Sequence, residues 1–119
     1  MIFLRRVVAL SVVLATATLF LGTLPALANP KAKMLIERKG CLACHSLLGV
    51  GGKMGPPLQS TPAWSPPERM RDYIKKPKSV NPKSIMPTVR MSDADIDAIV
   101  DYLQSFKDSA KAPKGWKDD

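Results

Sequence analysis

Histidine, cysteine and acid are all scarce in this sequence. Its 119 residues include one histidine, two cysteines, and 10 acidic side chains against 18 Lys or Arg. A structural zinc site needs about four Cys or His ligands, so three are too few. A thioredoxin-like redox pair needs a surrounding βαβ pattern, and no strand pattern or internal repeat is evident. Long apolar runs are lacking as well. Val7 to Leu21 is the one such run, at about 15 residues, short of the ~20 that span a bilayer. The formal charge is +8, which raises nucleic acid or anionic lipid as partners. No basic helix interleaved with aromatics accompanies that charge.

What is present begins with a targeting segment. Met1 to Arg6 carries two arginines and no acid, and the apolar run follows. Gly22 and Pro25 break it, and Ala26-Leu27-Ala28 fits the small-x-small cleavage rule. Residues 1–28 therefore read as a secretory signal peptide, with the mature chain starting at Asn29. The same features fit an uncleaved N-terminal anchor. Export to the periplasm is expected, and it argues against nucleic acid. Taking Arg5 and Arg6 from +8 leaves +6. The remainder is uneven: residues 31–90 hold 12 Lys or Arg against Glu37, Glu68 and Asp72, whereas residues 91–119 hold four Lys against seven Asp.

The scarce residues stand together as Cys41-Leu42-Ala43-Cys44-His45. C-x-x-C-H is the attachment signature of a c-type haem. Two thiols about one helical turn apart reach the two vinyl groups on one porphyrin edge, and the next side chain is then held beneath the ring. Cys41 and Cys44 are the expected covalent anchors of one haem c, and His45 the expected iron ligand. In an oxidising compartment the thiols would otherwise pair. A mature domain of about 91 residues is too short for a large core of its own, so a buried haem would supply apolar mass. The chain without it is expected to be largely unfolded.

Along the mature chain, Lys31 to Lys39 reads as a helix with Ala32, Leu35 and Ile36 on one face, and Pro30 suits its first turn. Gly40 lets the backbone turn before the cysteines. Residues 47–62 read as loop, broken by Gly49, Gly51, Gly52, Gly55 and Pro56-Pro57. Ser65-Pro66-Pro67-Glu68 reads as a helix start with Ser65 as cap. That helix runs to about Lys76 and stops before Pro77. Lys78 to Pro87 is expected to be extended. Ser92 begins the last helix, with Asp93, Asp95 and Asp97 where the helix dipole favours negative charge. Ile96, Ile99, Val100, Leu103 and Phe106 give it an apolar stripe. A polar tail follows from about residue 108.

With one histidine in use, a second axial ligand must come from Met34, Met54, Met70, Met86 or Met91, from lysine, or from nothing. Met34 is close in sequence to the cysteine turn, and Met70 and Met91 fall on or beside helices. Met54 lies nine residues past His45 in the glycine-rich loop. Met86 lies about 40 residues past it, a length that lets the chain pass round the ring edge. A thioether with histidine raises the iron potential.

The order Cys41-x-x-Cys44-His45, Gly55-Pro56-Pro57-Leu58, Met86-Pro87, then a closing helix with Tyr102-Leu103, resembles small class I cytochromes c over residues 31–107. The resemblance implies an all-α fold of three or four short helices wrapped around one covalently bound haem. It implies that the first and last helices cross beside it, and that Met86 is the distal ligand. It also implies that the Pro56 carbonyl accepts a hydrogen bond from the His45 ring, and that Trp64 and Tyr73 approach the propionates. The implied function is an exported carrier of single electrons between Fe(II) and Fe(III). An identical site would serve a haem subunit of a larger oxidoreductase. A small peroxidase or gas sensor would lack a distal histidine here. Acidic redox proteins are the expected partners, steered by Lys53, Lys75, Lys76, Lys78 and Lys83.

Overall fold

The structure is a computed structural model and describes residues 29–111. The predicted signal segment and the end of the polar tail lie outside the described residues.

Helix α1 spans Pro30–Arg38. Pro30 occupies the first turn, where its missing N–H costs nothing. The cap is Asn29, whose Oδ1 accepts from the Ala32 N–H at 3.1 Å. Ala32, Leu35 and Ile36 are buried, as their spacing predicts. Gly40 then turns the chain at φ +75° into a 3-10 turn over Cys41–Ala43.

The glycine-rich stretch is not all loop. Strands β1 (Ser46–Leu47) and β2 (Val50–Gly51) pair antiparallel, Ser46 with Gly51 and Leu47 with Val50. Leu48 and Gly49 make the connection with φ +50° and +87°. Left-handed φ at both loop residues is what a type I′ hairpin turn requires, and Asn-Gly is the favoured pair. Leucine in that conformation costs roughly 1–2 kcal/mol. The Leu48 N–H donates to Gln59 Oε1 at 3.1 Å, which helps hold the tip in place. A ladder of two residues per strand is too short for period-2 alternation to register in the sequence.

A second 3-10 segment, Leu58–Ala63, leads to α2, Pro67–Lys75. The helix begins one residue later than expected: Pro66 is the cap, Pro67 the first helical residue, and no side chain caps it. The Ser65 carbonyl is instead within reach of Gln104 Nε2, at 3.5 Å. Lys78 to Pro87 is not uniformly extended. Pro77–Val80 forms one helical turn, α3, closed by the Asn81 N–H on the Pro77 carbonyl at 2.9 Å. Pro77 stops α2 and, with its fixed φ, starts α3.

Helix α4, Asp93–Gln104, is capped by Ser92 Oγ, which accepts from the Asp95 N–H at 3.2 Å. Ile96, Ile99, Val100, Tyr102 and Leu103 are buried. They meet Ala32, Leu35 and Ile36 of α1, Met70 of α2 and Leu47 of β1 in one core. Phe106 lies past the helix and stacks edge-to-face on Tyr102, with centroids 5.3 Å apart. Among the described residues the fold is thus all-α apart from one minimal hairpin.

The aspartates at the start of α4 do more than complement its dipole. Asp95 pairs with Lys31 of α1 at 2.9 Å, Asp93 with Lys75 of α2 at 2.6 Å, and Asp97 with Arg71 of α2. The hydrogen bond from Lys31, then that from Ser92, holds the Asp95 carboxyl below its ordinary value. A carboxyl depressed in the folded state stabilises above its unfolded pKa, and loses that contribution as pH falls through the folded value. Asp95→Asn is therefore expected to lower the melting temperature slightly at pH 7. The difference from wild type should begin to shrink as pH drops below about 4 and vanish once pH is below the folded value. Thermal melts of the two proteins across acid pH check this; a gap that widens with acid contradicts it.

Candidate functional site

A cavity of about 620 Å³ opens between the cysteine turn, α2, the 81–87 loop and α4. Cys41, Cys44, His45, Pro56 and Met86, expected at one site, all line it. Trp64 and Tyr73 line it too.

Local backbone bonds shape the cysteine wall. The His45 N–H donates to the Cys41 carbonyl at 2.9 Å, so the motif forms a single turn. The 46–55 segment then folds back onto it: the Gly52 N–H donates to the Leu42 carbonyl at 2.9 Å and the Gly55 N–H to the Cys44 carbonyl at 2.8 Å. Burial pushes the Cys41 thiol above its ordinary pKa.

His45 Nδ1 lies 2.8 Å from the Pro56 carbonyl oxygen. A carbonyl only accepts, so Nδ1 carries the proton and donates, leaving the Nε2 lone pair free. Such a contact fixes both tautomer and ring orientation of a metal-binding imidazole. Gly55 packs closely against the same ring. A Cβ there would lie 2.5 Å from His45 Cε1 and 2.6 Å from Nδ1. In the sequence Gly55 is a loop breaker and the first residue of the Gly55-Pro56-Pro57-Leu58 motif, and neither signals contact with the imidazole.

The five mature methionines separate on this geometry. Met34 does not line the cavity. Met70 is buried in the core, and its Sδ receives the Gln104 Nε2 donor at 3.1 Å. Met91 also lines the cavity, and it packs against the core cluster. Met54 lines the cavity but is 70% exposed. It adjoins Gly55, on the segment bound to the His45 side. Met86 comes from a separate loop and is half-buried.

Sequence reasoning missed what holds that loop. Asn81 Oδ1 accepts from the Lys83 N–H at 2.9 Å, and the Asn81 carbonyl accepts from the Ser84 N–H at 2.9 Å. Ser84 is the buried polar residue of the described chain, and its Oγ accepts from the Met86 N–H at 3.2 Å. Asn and Ser bonding nearby backbone is a recognisable turn signal, so Asn81 and Ser84 were open to that reading.

Of the lysines expected to steer partners, Lys83 lines this cavity, and Lys76 and Lys78 border a second hollow beside Met86. Lys75 is engaged with Asp93, and that contact raises its pKa.

A haem fits this donor set. The cavity size is within the range of about 300–1,000 Å³ usual for ligand sites. Imidazole and thioether are haem-iron ligands, and the imidazole is already oriented with Nε2 free. No curated protein matches the chain. Residues 28–103, however, match the family model described as cytochrome c oxidase, cbb3-type, subunit III. With that match over most of the described residues, the chain belongs to this family of cytochrome c domains, and is a small haem c electron-transfer protein of class I fold.

Proposed function

We propose that the chain is an exported monohaem electron carrier. Cys41 and Cys44 would hold one haem c through their thiols, and His45 and Met86 would be the ligands of its iron. The observation that carries this reading is the convergence on one cavity of a C-x-x-C-H turn, an imidazole with its Nδ1 already committed, and a methionine from a separate loop. Bound there, the haem supplies a one-electron Fe(II)/Fe(III) couple.

The chain's own residues do the rest. Pro56 and Gly55 fix the His45 ring from two sides. Asn81 and Ser84 set the backbone that presents the Met86 thioether. Ile36, Met70, Ile99 and Leu103 form an apolar wall, which keeps water away and holds the ligand set in one arrangement. Lys83, with Lys76 and Lys78, gives this face a positive field for acidic partners.

Replacing Met86 by Ala is expected to abolish the weak methionine–iron band at the red end of the oxidised spectrum. It should also let the reduced protein bind carbon monoxide rapidly. Met54→Ala should leave both properties as in wild type. The opposite pattern would assign the ligand to Met54. Rapid, complete carbon monoxide binding by the wild type at neutral pH would replace the carrier with an open-site enzyme or sensor.

The description of the matching family favours a second reading, a haem subunit of a larger oxidoreductase. Size-exclusion of native periplasm separates the two: a carrier elutes as a small protein, a subunit with its complex.

A further inference from the structure

The backbone that carries Met86 belongs to no helix or strand from Ser84 to Met91. Its place therefore depends on side chains. Val89 and Met91 are half-buried and line the cavity, whereas Arg90 between them is exposed. One side-chain bond to this backbone is local: Ser84 Oγ accepts from the Met86 N–H, two residues on. Another crosses the fold. Lys39 Nζ donates to the Arg90 carbonyl at 3.0 Å, from 51 residues away.

Lys39 stands on a firm base. It closes α1, with its own N–H on the Leu35 carbonyl at 2.9 Å, and Leu35 and Ile36 just before it are in the core. The residue also lines the cavity, so its apolar stem follows the wall while its ammonium reaches the rim. Asp95 is close enough to feel the Lys39 charge, but its carboxylate is taken by Lys31 at 2.9 Å. The ammonium of Lys39 is left to the Arg90 carbonyl. Position in the chain gives that bond its leverage: Lys39 lies two residues before Cys41, and Arg90 four residues after Met86.

Resting on the reading that Met86 is an iron ligand, we propose that Lys39 is a positioning residue for it. The ammonium straps the methionine segment to the helix that leads into the cysteine turn, so the two ligand-bearing walls of the cavity keep one spacing. The bond is charge-assisted, which is the stronger kind. Being exposed, it adds little to global stability. Its loss shows instead as local opening of an irregular segment, and opening carries the Met86 thioether away from the site.

The test uses the haem-loaded protein and three single variants. Lys39→Met keeps the stem and removes the donor. Lys39→Arg keeps the charge and the donors. Arg90→Ala removes one positive charge beside the bond but keeps the carbonyl that accepts it. Carbon monoxide binding to the reduced protein reports how readily the thioether lets go. It should quicken about three- to tenfold in Lys39→Met, the change expected from one lost hydrogen bond. The other two variants should stay within about twofold of wild type. Amide hydrogen exchange across residues 84–91 should quicken in Lys39→Met by a similar factor, while α4 stays as protected as in wild type. In a Met86→Ala background, Lys39→Met should add nothing to the carbon monoxide rate, because no thioether remains to be released. Wild-type binding and exchange in Lys39→Met overturn the strap and leave Met86 standing as ligand. An Arg90→Ala rate equal to that of Lys39→Met assigns the effect to lost charge, and overturns it as well. A further rise in the Met86→Ala background puts the effect in access to the cavity, and the positioning role falls. A wild type as fast as Met86→Ala sinks the ligand reading and the strap together.

Discussion

Polypeptide made without haem attachment, as in the double variant Cys41→Ala, Cys44→Ala, is expected to be largely unfolded. Among the described residues, ten buried hydrophobic side chains form the core, and four of them, Ile36, Met70, Ile99 and Leu103, also line the cavity. Core and site thus share these four side chains. Without its group, the cavity of about 620 Å³ leaves these side chains facing water instead of apolar atoms, and a native domain has only about 5–15 kcal/mol of stability in all to set against that loss. The exposed ion pairs from α4 to α1 and α2 are too weak to compensate. Far-UV circular dichroism should show little helix and no cooperative melt. A cooperative transition at about 45 °C or above, with the helix content of the loaded protein, would contradict this.

The sequence announced what is local or periodic. The stripe of Ile96, Ile99, Val100 and Leu103 repeats over three turns, and Ser92 caps it by a short-range bond, so α4 was legible. So was α1, through Ala32, Leu35 and Ile36. C-x-x-C-H was legible because its spacing is itself the chemistry. The remainder depends on contacts between distant residues. Ser65 is a good cap by type, but its carbonyl faces Gln104, 39 residues on, and the helix starts after Pro66. The same aspartates that mark the start of α4 give no hint of which lysines or arginines they meet. The four glycines of residues 49–55 read as breakers. Only the fold shows that this segment lies against the cysteine turn and that one of its glycines touches the imidazole. The turn at Leu48 defies local preference, and a residue that does so cannot be read from preference.

Gly55 is where that hidden contact has its largest consequence. Gly55→Ala is expected to disturb the haem site although it adds a single methyl group. The backbone is not the obstacle, since Gly55 is not among the positive-φ glycines; only space is. A Cβ 2.5–2.6 Å from the His45 ring must move either the ring or the loop. The ring is held by Nδ1 on the Pro56 carbonyl at 2.8 Å, and the loop by the Gly55 N–H on the Cys44 carbonyl at 2.8 Å. Forcing extra carbon into such a contact typically costs about 1–3 kcal/mol. At roughly 4–8 °C per kcal/mol for a domain of this size, the melting temperature should fall by on the order of 5–20 °C. Lost orientation of a metal-binding imidazole weakens the metal site about 10–100-fold, so the low-spin spectrum and the redox potential should change as well. Gly49→Ala is the control. Its φ is +87°, nothing lies within 4 Å of the added carbon, and it does not line the cavity. It should cost about 1–2 kcal/mol of backbone strain and leave the spectrum and potential alone. If Gly55→Ala behaves like Gly49→Ala, the close packing of Gly55 on His45 does not govern the site, and the imidazole is oriented by Pro56 alone.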